Sequence, residues 1–183
     1  MSRGIRNLNL PSFEDINIQG QLQKRALRNF DRLESSRFHP DQICKDGKVN
    51  TWPGDIEGRI VLGLVLLARS THREARYLDE IIRRFPGWMN EEGFFGTMYG
   101  PEVFDEQQFS SHGWVLRGLC EYYEFTHDEK ILDMIDTIMR NLILPSTGFF
   151  RLTWSRSMHR PMRPLPRCVQ LSGFVNQAAT LGG

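Results

Sequence analysis

The 183-residue sequence predicts an all-α fold, built as an array of antiparallel helical hairpins. Three observations carry this. First, Gly58-Arg59-Ile60-Val61-Leu62-Gly63-Leu64 returns as Gly113-Trp114-Val115-Leu116-Arg117-Gly118-Leu119, 55 residues later. Second, Thr71-His72-Arg73-Glu74 matches Thr126-His127-Asp128-Glu129, and Gly93-Phe94-Phe95 matches Gly148-Phe149-Phe150, both at the same offset. Self-similarity at a fixed period of this size marks stacked supersecondary units, each with a face it cannot bury alone. Third, apolar residues between these signals recur every three or four positions, as on a helix, and strand signals are weak outside a short stretch at 148–154.

Composition limits the function classes. The chain is long enough for one core, and at 40% hydrophobic and 25% charged it is globular in class. A net charge of +1 gives no basic excess of the kind nucleic-acid binding needs, so no nucleic-acid partner is expected. The first 20 residues show no long apolar run, and no window of 18 apolar residues exists, so neither a signal peptide nor a membrane partner is expected. Cys44, Cys120 and Cys168 are few, odd in number and far apart. They are expected as free thiols in a reducing, cytoplasmic setting, without zinc-type spacing.

Residues 1–18 read as an arm. Residues 19–150 read as the helical-hairpin segment, and 151–183 as an irregular tail. In 19–37, Leu22, Ala26, Leu27, Phe30 and Leu33 give a helical stripe. Residues 38–54, with Pro40, Gly47, Pro53 and Gly54, predict a loop. A second helix is expected from Asp55 as N-cap, apolar on most sides. A third is expected from a Thr71–Glu74 capping box to Pro86-Gly87. A long loop over 86–110 precedes a fourth helix from Ser110 or Ser111 to Phe125. A Thr126–Glu129 capping box then opens a fifth, running to Pro145. Arg156, Arg160, Arg163 and Arg167 interleave with Pro161, Pro164 and Pro166 in the tail, a density of proline that disfavours helix and sheet.

Antiparallel hairpins put the tight turns on one side and the long loops on the other. The loop side collects Trp52, Asp55, Glu57, Trp88, Glu91, Glu92, Tyr99, Asp105, Glu106, His112 and Trp114. Rings stack on the apolar faces of sugars, and carboxylates bind hydroxyls or move protons, so this face predicts a carbohydrate substrate. Trp52, Asp55, Glu91, Glu92, Tyr99, His112 and Trp114 are the candidate substrate-binding residues. Taken singly, each has a plainer role: a tryptophan in the core, Glu91-Glu92 as a solvated pair, His112 as a structural histidine.

The run Trp52-Pro53-Gly54-Asp55-Ile56-Glu57-Gly58-Arg59, the Gly93-Phe94-Phe95-Gly96 turn, and Ser111-His112-Gly113-Trp114 ahead of Leu119-Cys120-Glu121-Tyr122-Tyr123 resemble the six-hairpin (α/α) toroid glycosidases. The nearest group is the glycoside hydrolase family 127 β-L-arabinofuranosidase-like enzymes, over about residues 20–150. The resemblance implies an incomplete toroid of about two and a half of six hairpins. It also implies hydrolysis of glycosidic bonds by the complete enzyme, with zinc there as a cofactor. His112 resembles a substrate-binding histidine of the family, although Gly113 and Trp114 replace the residues that follow it. No segment matches the family's cysteine nucleophile, zinc ligands or catalytic glutamate, so catalytic residues stay unassigned and no cofactor is expected for this chain.

Six units of 55 residues need about 330 residues to close a ring. Three readings follow: the N-terminal part of a carbohydrate-active enzyme, inactive alone; a helical-repeat interaction module without catalysis; or a small enzyme using Asp55, Glu91 or Glu92, and His112. An unfinished stack also predicts an apolar edge on the fifth helix, among Ile131, Leu132, Ile135, Ile138, Met139 and Leu142, and self-association through it.

Overall fold

The computed structural model describes residues 15–43, 52–99 and 105–146, and these are helical with no strand. The elements are α1 (Gly20–Leu33), a 3-10 turn (Ser36–Phe38), α2 (Pro40–Ile43), α3 (Asp55–Thr71), α4 (Leu78–Trp88), α5 (Glu106–Thr126) and α6 (Glu129–Ile138), which continues into a π turn at Met139–Ile143. The expected strand pieces at 148–154, the third member of the repeat at Gly148-Phe149-Phe150 and the tail 151–183 lie outside the described residues.

The repeated helices α3 and α5 form the centre. A Cβ placed on Gly58 would lie 2.4 Å from the Val115 nitrogen, and one on Gly118 would lie 2.9 Å from the Gly58 carbonyl oxygen. Only hydrogen fits at either place, so the two backbones touch. Further along, Arg69 and Glu121 pair at 3.0 Å. Contacts therefore advance in the same direction on both helices, which run side by side and parallel, as the repeat requires. α4 and α6 run back. Tyr122, near the end of α5, donates a hydrogen bond to Asp79 at the start of α4, while Phe85, near the end of α4, meets Phe95 edge-on at 5.1 Å. Val61, Leu64, Ile81, Phe85, Leu119, Ile131 and Ile138 fill the space between. α1 buries only Phe30. It is tied down by Arg73, which pairs with Asp31 and Glu34 and lies over the Phe30 ring.

Several sequence expectations are corrected at helix ends. Thr71 and Thr126 do not open helices; they close them. Their hydroxyls donate to the Leu67 and Tyr122 carbonyls one turn back, and the next residues, His72 and His127, adopt left-handed φ of 54° and 56°. The 55-residue register thus holds in detail, with the opposite meaning at this point. α4 starts at Leu78 without a side-chain cap, and α6 is capped by Asp128, whose carboxylate accepts from the Lys130 N–H. α5 starts earlier than expected because Asp105 caps it, accepting from Gln107 and Gln108. α3 has Gly54 as N-cap at φ 88°, so Asp55 is the first helical residue. Pro86 lies inside α4, in its last turn. There the ring forfeits one backbone bond and the helix continues, with Met89 N–H reaching Phe85.

Most of the expected apolar edge on α6 is buried, with Leu132 and Leu142 only partly so. Ile131, Ile135, Ile138 and Met139 are buried, and Leu132 and Met134 are packed against the core, so Ile138 offers no exposed side. Cys120 is disulfide-bonded rather than a free thiol. Its partner lies outside the described residues, and sequence distance gave no hint because packing sets which cysteines meet. Alkylation of the unfolded, unreduced chain is expected to modify one of the three cysteines, and all three after reduction. Full modification without reduction would rule the bond out.

Candidate functional site

The site forms where the N-terminal end of α3 meets the middle of α5 and two glycine-bearing turns. Trp52-Pro53-Gly54 turns sharply into α3, with Asp55 N–H donating to the Trp52 carbonyl. Gly54 is needed twice over: its φ is left-handed, and a Cβ would lie 2.9 Å from Val115 Cγ2 and 3.3 Å from the Phe95 ring. The Gly93–Gly96 turn locks against it from the other side, since a Cβ on Gly96 would lie 2.6 Å from Pro53 Cγ.

Three of the seven sequence candidates gather here. Asp55 accepts from Arg59 Nε at 3.0 Å, and the Arg59 guanidinium lies 4.4 Å from the Trp114 ring centroid. An acid, a cation and an indole thus form one stack across the α3–α5 junction. Trp52 stands beside it, 47% exposed. A fourth candidate, Tyr99, stands at the start of α5, where it donates to Asp105 Oδ2 at 3.0 Å while the other oxygen of Asp105 caps the helix. That hydrogen bond holds the Tyr99 proton more firmly than usual.

The other three are placed differently. His112 is fully buried. Its Nε2 accepts the Phe95 N–H at 3.0 Å, and its Nδ1–H donates to the Gln108 carbonyl at 2.6 Å. Both ring nitrogens are occupied in the neutral form, and burial pushes the pKa down to about 4. His112 therefore pins the Gly93–Gly96 turn onto α5. Gln108 helps, donating to the Phe95 and Thr97 carbonyls. Glu91 and Glu92 are exposed on the far limb of that turn. The Glu92 carbonyl accepts from Asn141 after α6, and Gly93 is pressed against Thr137. Two residues on, Phe95 touches Gly54, so buried Phe94 and Phe95 separate the glutamates from Asp55.

The sequence reading put Glu57 on the loop face without naming it among the substrate-binding candidates, and gave Ser111 no role in the site. Glu57 is 4% exposed, and burial raises its pKa against the lowering effect of the Glu57 and Gly54 N–H groups. Its position three after Gly54 is that of the glutamate in a capping box, the signal that would have found it. Asp55 and Glu57 stand two residues apart on a helix, about 200° around its axis, so they do not converge on one ligand. Among the described residues no cluster of His, Cys, Asp and Glu is arranged to hold a metal, and no helix is long and apolar enough to cross a membrane. The groups this junction presents are an exposed indole at Trp52 and the Asp55–Arg59 ion pair. No family model, curated protein or solved structure matches the chain.

Proposed function

We propose that the chain is the N-terminal part of a carbohydrate-active enzyme of glycoside hydrolase type, built as an α/α toroid and inactive by itself. The observation that carries this is the parallel α3–α5 pair, which sets Trp52, Asp55 and the Arg59–Trp114 stack close to one another where the start of α3 crosses the middle of α5. The ligand is a neutral sugar: an exposed ring stacks on its apolar face, and the Asp55–Arg59 pair meets its hydroxyls. The sparse, odd cysteine set supports a cytoplasmic location, and the Cys120 disulfide opposes it. Trapping thiols in intact cells decides between them.

The test is tryptophan fluorescence of residues 1–183 titrated with L-arabinose, run beside an aryl arabinofuranoside assay. Saturable change without turnover is expected. Trp52→Ala is expected to weaken binding by about three- to tenfold, the loss of one stacking contact. No saturable change with arabinose or with hexoses removes the carbohydrate reading. Turnover by this chain shows that it is an enzyme in its own right.

A further inference from the structure

Cys120 is bonded to another cysteine, and the helices around it narrow the choice. Gly118 faces α3, since a Cβ there would lie 2.9 Å from the Gly58 carbonyl oxygen. Tyr122, one turn on, is on nearly the same side and donates to Asp79 of α4. Cys120 stands two residues from each, about 200° around the axis, so it points away from both α3 and α4. Two cysteines remain as partners, Cys44 and Cys168. Cys44 directly follows Ile43, the last residue of α2. α2 is held by Asp41, which pairs with Arg84 of α4. Arg84 is five residues from Asp79, about 140° around α4, so α2 lies on the side of α4 turned from α5. A helix on the order of 10 Å across therefore stands between Cys44 and α5, whereas a disulfide needs Cα atoms within about 7 Å. Cys168 is left. Charge agrees with this. Residues 147–183 carry five arginines and no acid, which out of the +1 for the whole chain leaves −4 on residues 1–146. Glu124, one turn beyond Cys120 on the same side of α5, is exposed.

We propose that Cys168 is the partner of Cys120, and that the arginine-rich segment ending at Cys168 docks on the face of α5 opposite α3. The occupant of that face is the chain's own C-terminal part, joined to it covalently and matched to it in charge. The pairing is independent of the carbohydrate reading. It also makes the contact sensitive to thiols. A dithiol breaks the S–S bond by exchange, leaves one thiol on each cysteine, is itself oxidised to a disulfide, and so frees the segment.

The test is tryptic mapping of the full oxidised chain, alkylated and digested without reduction. Peptide 118–130, which holds Cys120, is expected to appear joined to 168–183. A link to 38–45, which holds Cys44, overturns the pairing, and so does a mixture of the two links. Docking is read by limited trypsin digestion of the native fold. Cleavage after Arg167 is expected to be about tenfold faster once a dithiol has reduced the bond, and as fast in Cys168→Ser, because proteolysis follows the population of the undocked segment. Cleavage after Arg117, inside α5, reports unfolding of the helical part itself. Should that site open as well, the comparison is made with Cys168→Ser at a lower temperature, where α5 stays uncut. Equal rates at Arg167 with Arg117 uncut overturn the docking.

Discussion

Adding one methyl group at Gly58 is expected to destabilise the chain by about 2–3 kcal/mol, while the same change at Gly113 stabilises it by about 1 kcal/mol. The two glycines occupy the same place in the repeat. In a helix, alanine is favoured over glycine by about 1 kcal/mol wherever there is room. At Gly113 there is room: a Cβ would meet nothing within 4 Å. At Gly58 it would lie 2.4 Å from the Val115 nitrogen and 2.5 Å from the Trp114 carbonyl carbon. Those are backbone atoms, so no rotamer change relieves the clash and the helices must part. Overpacking of this kind costs about 1–3 kcal/mol or more, outweighing the propensity gain. For a chain of this size the melting temperature should fall by about 6 °C in Gly58→Ala and rise by about 3 °C in Gly113→Ala. Gly63→Ala gives an internal scale. Its Cβ would meet only Leu33 Cδ1, at 2.9 Å, the movable end of a side chain, so a change near zero is expected. Melts showing the same sign at Gly58 and Gly113 would refute the close backbone approach of α3 and α5.

The repeat was legible because it is written in residues that geometry restricts: glycines at a backbone contact, threonines and histidines at helix ends. What each signal meant was harder to read. Thr71-x-x-Glu74 and Thr126-x-x-Glu129 fit a capping box, but the same threonine hydroxyl can bond backward to a carbonyl, and the following histidine can take the left-handed conformation. The local pattern does not contain the choice; packing of the preceding helix makes it. The candidate face was legible in the same partial way. Trp52 and Asp55 sit at the start of α3, and the parallel packing of α3 against α5 brings Trp114, in the middle of α5, over Arg59. Glu91 and Glu92 do not join them because the Gly93–Gly96 turn reverses the chain, and that turn is set by Phe95 and His112, which lie 17 residues apart in sequence. Glu57 was hidden for the opposite reason. It looks like an ordinary first-turn acid, and only the structure shows that it is buried with an oxygen unused.

Stability should fall by about 3 kcal/mol between pH 7 and pH 4 through His112 alone. In the folded chain, burial holds the ring neutral until the pH reaches about 4. In the unfolded chain it protonates at its ordinary value, about 6.5. Between those values the unfolded state binds a proton that the folded state refuses, so acidification favours unfolding. The stability His112 contributes is fully present above about 6.5, declines below it, and levels off near pH 4, where the folded ring protonates as well. At about 1.4 kcal/mol per pH unit, that window corresponds to about 3 kcal/mol. Glu57 acts in the other direction. Its folded pKa is raised by burial, so its contribution is complete below its ordinary carboxyl value and is lost as pH rises above it. The two windows overlap, and Glu57→Gln removes the opposing effect. Urea titrations at pH 7, 5.5 and 4 should therefore show a steeper acid loss in Glu57→Gln than in the native chain. Adding His112→Gln to that background should lower stability at pH 7, because the Phe95 N–H and the Gln108 carbonyl lose a fitted partner at about 1–3 kcal/mol. It should also flatten the curve below pH 6.5. An acid slope that survives the loss of His112 would mean that another group refuses the proton, and the pinning of the Gly93–Gly96 turn would then have to be sought elsewhere.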